Sequence, residues 1–418
     1  MKRRHFFVTG ALAASQSWAG ANDRVRLAVI GVGGRGNDHL KEASDIPNVE
    51  VAALVDPDGR RTEAGSQKIF DKTGKRPKLY SDMRQVFDDK EIDGVTIATC
   101  NHWHALSAIW AMQAGKDVYV EKPISHNIFE GEQVVRAARK YNKVVQGGTQ
   151  RRSWGRFRKF VSMLHEGVIG DIYMAKWFFP GNRDSIGFKP LLNEPPSWIN
   201  WDLWVGPGPM QPFHENLVHY NWHWFWDFGN GELGNNGIHL VDISRWGMKR
   251  GLPRKVHSFG GRYGYKDQAQ TPNTQTVTWT YEDGATIVGE IRGLYTGEPM
   301  SWDFFGSKGH MHVFADGKIQ ITMGRNKSPE PEIQYPPNED HIKNFTDAVR
   351  SREWKSLRAE IQETHHSTAM CHLGNISYRL GRELKFDPAA VRFVDAPDAD
   401  RMLTREYRAP YVVPLIEN

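Results

Sequence analysis

The sequence is poor in cysteine and has no long hydrophobic run, and each shortage excludes a class of protein. Two cysteines, Cys100 and Cys371, stand in 418 residues, too few for a disulfide scaffold or a cysteine-rich zinc site. They could pair in an oxidising compartment, but Cys100 ends a predicted buried strand, which favours two separate core thiols. No apolar stretch is long enough to span a bilayer, so no membrane span is predicted.

The net positive charge of the chain is also small. Lysine and arginine outnumber aspartate and glutamate by 54 to 49, and three of the basic residues, Lys2, Arg3 and Arg4, lie close to the N-terminus. No basic stripe remains to bind a phosphate backbone, so nucleic acid is not an expected partner. The composition is typical of a globular protein, and the length predicts two domains plus a terminal extension.

Residues 1–21 have the pattern of an export signal. The pair Arg3-Arg4 is followed by a mildly apolar run from Val8 to Ala19 and by a small-residue cleavage pattern before Asn22, as in twin-arginine signals. An ordinary basic tail is the alternative. We expect an exported, periplasmic protein whose mature chain begins near Asn22.

A buried-strand pattern runs into a glycine-rich turn between Arg24 and Gly36. The spacing G-x-G-x-x-G is that of a dinucleotide fingerprint, in which the glycines permit a tight turn, close approach to a pyrophosphate and close helix packing. The following helix would offer free N–H groups to the phosphates. The predicted cofactor site includes the whole turn: Gly31, Gly33, Gly34, Arg35 and Gly36.

A second predicted strand, Val49–Val55, ends in Asp56, roughly 20 residues beyond the glycines, where an acid accepts the adenosine ribose hydroxyl. The alternative is a turn-forming aspartate. A carboxylate here repels a 2′-phosphate and favours NAD over NADP, although Arg60 and Arg61 weaken that preference.

Helix and strand patterns alternate from Asn22 to about Gly148, which predicts an α/β protein whose N-terminal Rossmann domain, residues 22–148, has a doubly wound parallel sheet. Strands are predicted at 94–99, 117–120 and 144–148, and helices at 104–114 and 132–141. Period-two patterns then predict an antiparallel sheet with strands at 276–281, 285–291, 301–305 and 310–314. Helices follow at 341–350 and 357–380. The second domain is assigned to 149–388 and a tail to 389–418.

Two further motifs carry a resemblance. Glu121-Lys122-Pro123 follows a predicted strand, and Gly237-Ile238-His239-Leu240-Val241-Asp242 lies in the second half. With the glycine turn, they resemble the glucose-fructose oxidoreductase, inositol dehydrogenase and MocA (Gfo/Idh/MocA) family, in motif order over nearly all of the mature chain. The resemblance implies a C-terminal α/β domain with a large open, mostly antiparallel sheet, NAD as cofactor, sugar or polyol substrates and a cis bond before Pro123. The open sheet also implies a homo-oligomer, a dimer or tetramer.

Lys122 and His239 are the candidate catalytic residues. A lysine at a strand end, with its pKa lowered, can take the proton from a hydroxyl as hydride leaves the same carbon. His239, whose charge state is poised near neutrality, would share the proton transfer or hold the substrate hydroxyl. Glu121 would orient either the lysine or the nicotinamide ribose. The alternatives are a surface lysine and a core histidine.

The position four residues before His239, where many relatives have aspartate, is Asn235 here. An amide cannot accept a proton at neutral pH, which puts a simple lysine-aspartate-histidine triad in doubt. Asp242 shares a helix face with His239, but no third ligand has metal spacing, so no metal is predicted.

Asn101 and His104 would line the nicotinamide side, and Gln150 would lie in the crevice. One or two of Trp222, Trp224 and Trp226 would stack on a sugar. The predicted substrate contacts are Arg151, Trp222, Asn235, Asn236 and Asp242.

These features predict an exported NAD-dependent oxidoreductase that transfers hydride to or from a sugar and keeps its cofactor, because free NAD is scarce outside the cytoplasm. Two alternatives stay open. The first is a glycoside hydrolase that oxidises its sugar transiently, eliminates the glycoside, adds water and returns the hydride. The second is a non-enzymatic sugar-binding protein with structural NAD.

Overall fold

The computed structural model describes residues 24–327 and 333–417. The predicted export signal, residues 1–21, lies outside the described residues. Among those described, no helix is both long and apolar enough to cross a membrane. Cys100 and Cys371 are both free thiols, as predicted; Cys371 is fully buried, whereas Cys100 is only partly buried.

The N-terminal half forms a parallel six-stranded sheet in the order β3-β2-β1-β4-β5-β6, which confirms the predicted doubly wound Rossmann fold. Its strands are β1 (Val25–Ile30), β2 (Val49–Val55), β3 (Lys78–Tyr80), β4 (Gly94–Ile97), β5 (Asp117–Val120) and β6 (Val145–Gly147). Its helices are α1 (Gly34–Asp45), α2 (Gly59–Thr73), α3 (Arg84–Asp88), α4 (Asn101–Gln113) and α5 (Ile128–Lys140). The three-residue edge strand β3 is not among the predicted strands.

Two helices of this half begin earlier than predicted. α4 starts at Asn101 rather than residue 104, so Asn101 and His104 occupy its first turn. α5 starts at Ile128 because the side chain of Asn127 accepts a hydrogen bond from the Glu130 backbone N–H and caps the helix. α4 therefore begins directly behind the end of β4, at the candidate site, whereas the segment 121–127 separates α5 from β5.

The second half forms a ten-stranded sheet in the order β14-β13-β12-β11-β7-β10-β9-β8-β15-β16. Its strands are β7 (Ile172–Pro180), β8 (Lys255–Gly261), β9 (Thr274–Thr280), β10 (Thr286–Arg292), β11 (Ser301–Gly306), β12 (Gly309–Phe314), β13 (Ile319–Met323), β14 (Asn326–Lys327), β15 (Leu384–Asp387) and β16 (Arg392–Phe393). Its helices are α6 (Gly155–His165), α7 (Trp201–Val205), α8 (Ile238–Gly247), α9 (His341–Ser351), α10 (Ile361–Leu380) and α11 (Pro397–Asp400). Within the described part of this second sheet, only β7 and β10 pair in parallel, so the prediction of a mostly antiparallel sheet is confirmed.

The strands of this sheet have one buried and one more exposed face. In β9 the side chains of Gln275, Val277 and Trp279 are buried, and the threonines between them are partly exposed. α8 and α10 pack against the buried side. The other face remains available for contacts between subunits, and the predicted oligomer stays a prediction.

The end of the chain packs against the first half. Ile342 and Phe345 of α9 lie in one core cluster with β1. Tyr411, Val413 and Ile416 belong to the core cluster that contains α4 and α5. The Rossmann sheet is therefore completed by segments assigned above to the second domain and the tail.

Candidate functional site

The glycine turn between β1 and α1 has a geometry that excludes side chains at two positions. Gly31 has φ +85°, and a Cβ there would lie 2.6 Å from the Ala98 carbonyl oxygen. A Cβ on Gly36 would lie 1.8 Å from the Gly31 carbonyl oxygen. No side chain caps the N-terminus of α1, so its N–H groups are available to an anion. The turn fits the pyrophosphate of a dinucleotide.

Asp56 lies beside this turn at the end of β2. Its carboxylate accepts hydrogen bonds from the backbone N–H groups of Val32, at 2.8 Å, and Asp58, at 2.9 Å. Burial raises the pKa of Asp56 to about 6, against the opposing effect of these hydrogen bonds. The carboxylate is therefore mostly ionised at neutral pH and can accept a ribose hydroxyl.

The two arginines that follow Asp56 have different environments. Arg60 binds Asp58 through two nitrogens and lies over the Trp198 ring, 3.7 Å from its centroid. Arg61 lines the candidate site, and a Cβ on Gly33 would lie 3.2 Å from its guanidinium. Only Arg61 is therefore placed to meet a bound cofactor.

Lys122 projects from the end of β5 toward the second half of the chain. Its Nζ donates to the backbone carbonyl of Asn235 at 2.8 Å and lies 3.4 Å from the Asn235 side-chain oxygen. The bond to Pro123 is cis, as the resemblance implies. Burial lowers the pKa of Lys122, while the charges of Glu121 and Glu232 oppose the shift. The lysine can therefore act as an acid or a base closer to neutral pH than a surface lysine can.

The carboxylate of Glu121 is bound within the protein. It accepts hydrogen bonds from Arg35 Nε at 2.8 Å and from the Lys122 backbone N–H at 3.2 Å, and His39 Nε2 lies 3.1 Å away. Burial would raise the pKa of Glu121, but the His39 contact and the Arg35 charge hold it well below its usual range. Glu121 thus presents a fixed negative charge next to Lys122, and Arg35 orients that carboxylate.

His239 lies on α8 and lines the site opposite Lys122. Burial and the nearby charges of Lys122 and Arg151 hold the pKa of His239 well below its usual range. The expectation of a charge state poised near neutrality is therefore wrong, because the imidazole is neutral at physiological pH. Its buried Nδ1 has no hydrogen-bond partner among the described residues, so the ring can bind a substrate hydroxyl.

A buried carboxylate, Glu232, was not identified from the sequence. It pairs with Arg183 through two contacts of 2.8 and 3.2 Å, and the side-chain amides of Asn235 and Asn236 both donate to it. Residues Leu233–Gly237 form a π-helical turn between Glu232 and α8. This arrangement places one negative charge near Lys122 although position 235 is an amide.

Three predicted substrate contacts do not line the site, whereas Trp222 and Asn235 do. Asp242 is buried, binds Arg152 through two contacts of 2.8 Å and accepts from Ser367. Arg151 lies among the rings of Trp154, Phe157 and Trp302. Asn236 turns toward Glu232. Asp242 shares a helix face with His239 but does not reach the crevice, because nearly all residues of α8 are buried.

Asn101 and His104 line the site, but their polar atoms are used within the protein. Asn101 Nδ2 donates to the Asn230 side-chain oxygen at 2.9 Å. The His104 ring lies between the carbonyl oxygens of Pro123, 2.6 Å from Nδ1, and Thr99, 3.0 Å from Nε2. His104 therefore fixes the backbone on either side of the site rather than presenting a free imidazole.

Most of the predicted residues converge on one crevice of about 340 Å³ between the two halves. Gln150 and the predicted cofactor residues line it, except Gly36, which lies behind the turn. Trp222 stacks on His223 with ring centroids 3.6 Å apart; Trp224 and Trp226 lie outside the lining. Wall residues that the sequence analysis missed include Trp103, Trp204, His219, Tyr220 and His223. The aromatic spacing pointed to this region and to Trp222, but not to Trp103, Trp204 or Tyr220.

Comparison with known proteins agrees with this geometry. Residues 25–149 match the oxidoreductase family model described as an NAD-binding Rossmann fold, and residues 178–413 match the C-terminal alpha/beta domain of the same family. An inositol 2-dehydrogenase of Salmonella typhimurium is 31% identical over 153 residues, 36% of this chain and 44% of the relative. A protein of Akkermansia muciniphila named glycosyl hydrolase family 109 protein 2 is 34% identical over 157 residues, 36% of this chain and 32% of the relative. The chain thus matches less than half the length of these curated relatives.

Among solved structures, the WlbA dehydrogenase of Bordetella pertussis in complex with NADH and UDP-GlcNAcA superposes with a TM-score of 0.67. The match has 18% sequence identity and covers 87% of this chain and 99% of that protein. At this identity the likeness establishes the fold. Together with the two family matches, it shows that this chain belongs to the Gfo/Idh/MocA oxidoreductase family, with an NAD-binding Rossmann domain followed by the family's C-terminal α/β domain.

Proposed function

We propose that this protein is an exported oxidoreductase that transfers hydride between a sugar, or a sugar derivative, and an NAD that it retains. The observation that carries the proposal is the convergence of Lys122, Asn235 and His239 in a crevice continuous with the dinucleotide turn. When bound, NAD supplies the hydride acceptor and donor. The names of the inositol dehydrogenase and UDP-GlcNAcA-bound relatives support a polyhydroxylated substrate.

In this proposal Lys122 handles the hydroxyl proton. The neutral amine accepts the proton from the substrate oxygen as the C–H bond of the same carbon gives up hydride, and the ammonium returns it in the reverse direction. The Asn235 carbonyl, 2.8 Å from Nζ, orients the amine without a charge that would fix the proton on it. Burial, which lowers the pKa of Lys122, favours the basic form.

His239 positions the substrate. A neutral imidazole with an unpartnered nitrogen can accept or donate one hydrogen bond to a hydroxyl. Trp222, in the same wall, offers an aromatic face to the C–H side of a sugar ring. These contacts would select the ring face presented to Lys122.

Export supports retention of the cofactor. The pattern in residues 1–21 is that of a route that carries folded proteins, so NAD can be bound before transport. A retained cofactor must return to its starting state on the protein, through a second sugar or within one substrate. We therefore expect NAD to co-purify with the exported form.

The test is to purify the exported protein, measure NAD and NADH released on denaturation, and incubate the holoprotein with a panel of sugars. Sugar-dependent appearance or loss of bound NADH absorbance is expected for the wild type and not for Lys122→Met. A preparation without dinucleotide that also fails to bind added NAD would contradict the proposal. NAD binding without any sugar-dependent change in either protein would favour a sugar-binding protein with structural NAD.

A second candidate is glycoside cleavage through transient oxidation, favoured by the relatives named glycosyl hydrolase family 109 proteins. Oxidation of a ring carbon acidifies the neighbouring C–H, which permits elimination of the glycoside, addition of water and return of the hydride. Lys122 and His239 are suited to either path. Aryl glycosides separate the two: release of the aryl group without net NADH favours cleavage, whereas a redox change without release favours the oxidoreductase.

A further inference from the structure

We propose that a second cavity in this protein, separate from the crevice, binds a small polar molecule through an oxyanion group such as a carboxylate or phosphate. The cavity has a volume of about 390 Å³, and its wall includes His126, Trp226, His372, Arg379, Arg401 and Arg405. We call it the arginine cavity. The α10 helix and the segment after α11 both contribute to it.

The three arginines of this cavity are accessible to solvent: Arg379 and Arg401 are exposed, and Arg405 is partly buried. Among the described residues, no carboxylate oxygen lies within 4.0 Å of Arg379, Arg401 or Arg405. Arg152 and Arg183, in contrast, each bind a buried carboxylate through two nitrogens. Three guanidinium groups without a carboxylate partner, gathered in one concave wall and open to solvent, create a positive potential that favours an external anion.

Two carboxylates share the wall but do not neutralise it. Asp227 and Glu406 line the arginine cavity, and neither forms an ion pair within 4.0 Å among the described residues. His126 adds no charge, because burial and the charge of Arg405 hold its pKa well below its usual range. The wall therefore keeps an excess of positive charge with both donors and acceptors, which suits an anion that also carries hydroxyl groups.

Contacts within the protein hold Arg405 in place. Its Nη1 donates to the Asp227 backbone carbonyl at 2.9 Å and to His126 Nδ1 at 3.1 Å. Since arginine only donates, Nδ1 of His126 is the acceptor and its proton lies on Nε2. These contacts use one nitrogen and leave the rest of the planar guanidinium to bind an oxyanion.

Arg379 is oriented by an aromatic ring. Its guanidinium lies over Trp226, 5.2 Å from the ring centroid, and burial lowers the pKa of Arg379. A guanidinium held on a ring presents its edge to a carboxylate or phosphate. Arg379 and Arg405 are thus both placed before a ligand arrives, which reduces the entropic cost of binding.

The arginine cavity is linked to the crevice by a short chain of amides. Asn230 lines the cavity, donates to the His126 carbonyl at 3.0 Å and accepts from Asn101 at 2.9 Å. Asn101 begins α4 and lines the crevice. A ligand that shifts Asn230 would therefore change the position of Asn101, and we expect its binding to change the affinity for NAD.

The experiment uses the full-length protein saturated with NAD, so that an anion cannot occupy the dinucleotide turn. Calorimetric titration with glucuronate and with inorganic phosphate tests for a sugar acid and a free phosphate separately, and glucose and chloride are the controls. We expect binding of at least one of the two anions and none of glucose. Arg379→Gln and Arg401→Gln should each weaken it about tenfold, as for loss of one charge-assisted hydrogen bond.

Arg136→Gln is the matched control, because Arg136 is exposed on α5 and lies outside the cavity lining; it should leave the affinity within twofold. Circular dichroism and NAD content show that each variant is folded. No binding of either anion at concentrations up to about 20 mM, which corresponds to roughly 2 kcal/mol of binding free energy, would overturn the proposal. Equal weakening by Arg136→Gln would overturn it as well. Neither outcome affects the assay of sugar oxidation in the crevice, so the two proposals fail independently.

Discussion

The ammonium group of Lys122 donates to the backbone carbonyl of Asn235 at 2.8 Å, across the boundary between the two halves of the chain. The acceptor is neutral, and the nearest carboxylates that influence the lysine are Glu121 and Glu232. The carboxylates that influence the pKa of Lys122 and the carbonyl that orients its amine therefore belong to different residues. Each can be changed separately by mutation.

Replacing Lys122 with methionine should abolish turnover while preserving the cofactor site. Methionine has a similar length but cannot exchange a proton, and general acid–base catalysis typically contributes about 10²–10⁴-fold to a rate. We expect kcat to fall by about that factor and the affinity for NAD to remain within a few fold. Stopped-flow kinetics and fluorescence titration with NAD measure the two quantities. A variant that keeps wild-type turnover would remove Lys122 from the chemistry.

Glu232→Gln should move the pH dependence of sugar oxidation to lower pH. The charge of Glu232 raises the pKa of Lys122. Removing that charge lowers the pKa, so the neutral, proton-accepting amine is populated at lower pH. The measurement is the rising limb of kcat/KM against pH. Arg183 loses its partner in this variant, so thermal unfolding must confirm that the fold is retained.

Asn235→Asp should move the same limb in the opposite direction. The Asn235 side-chain oxygen lies 3.4 Å from Lys122 Nζ, and a carboxylate there stabilises the ammonium form and raises the pKa of Lys122. Activity should then rise only at higher pH than in the wild type. Shifts of the same sign in Glu232→Gln and Asn235→Asp would show that the limb does not report on Lys122.

NAD binding should weaken as the pH falls through about 6, the value to which burial raises the pKa of Asp56. The protonated carboxyl is a poorer acceptor for the ribose hydroxyl than the carboxylate. Fluorescence titration between pH 5 and 8 should give a dissociation constant that rises on the acid side. Asp56→Asn should bind NAD more weakly throughout and lose this acid dependence, and an unchanged profile would assign the effect to another group.

Asp242→Asn should destabilise the fold without acting through the crevice. The substitution leaves the buried Arg152 with only the more distant carboxylate of Glu363, 3.6 Å away, and breaking a buried ion pair typically costs about 3–5 kcal/mol. Urea unfolding measures the loss. Asp316→Asn is the matched control, because Asp316 pairs with Arg156 where both side chains are largely exposed, and such pairs contribute about 0–1 kcal/mol. Similar losses in the two variants would contradict the interpretation.

Local patterns were sufficient to predict the Rossmann half and its contribution to the site. The glycine turn, Asp56 and Lys122 each follow a strand whose apolar run is visible in the sequence, and parallel strands bring their carboxyl ends to one edge. Asn101 and His104 lie in the crevice, as the sequence indicated. Their side-chain hydrogen bonds were not predictable, because the partners, Asn230 and Pro123, are not their neighbours in the sequence.

The contribution of the second half was harder to predict. Tyr220 and His223 line the crevice from an irregular segment, and Glu232 lies next to a π-helical turn; neither segment has a regular period. Arg151 and Arg152 are adjacent in sequence, yet one packs among aromatic rings and the other binds Asp242. Such differences arise from long-range packing, and hydrophobic periodicity does not encode them.

The packing of Tyr411, Val413 and Ile416 against α4 and α5 has a consequence for biosynthesis. A ribosome releases the Rossmann strands some 260 residues before these three side chains, an interval given by the positions of Gly147 and Tyr411. The nascent N-terminal half therefore waits, with part of its apolar surface uncovered, until these three residues have been synthesised. Truncating the gene after codon 408 should yield a product that chaperones retain and proteases degrade, although every residue of the crevice is still encoded.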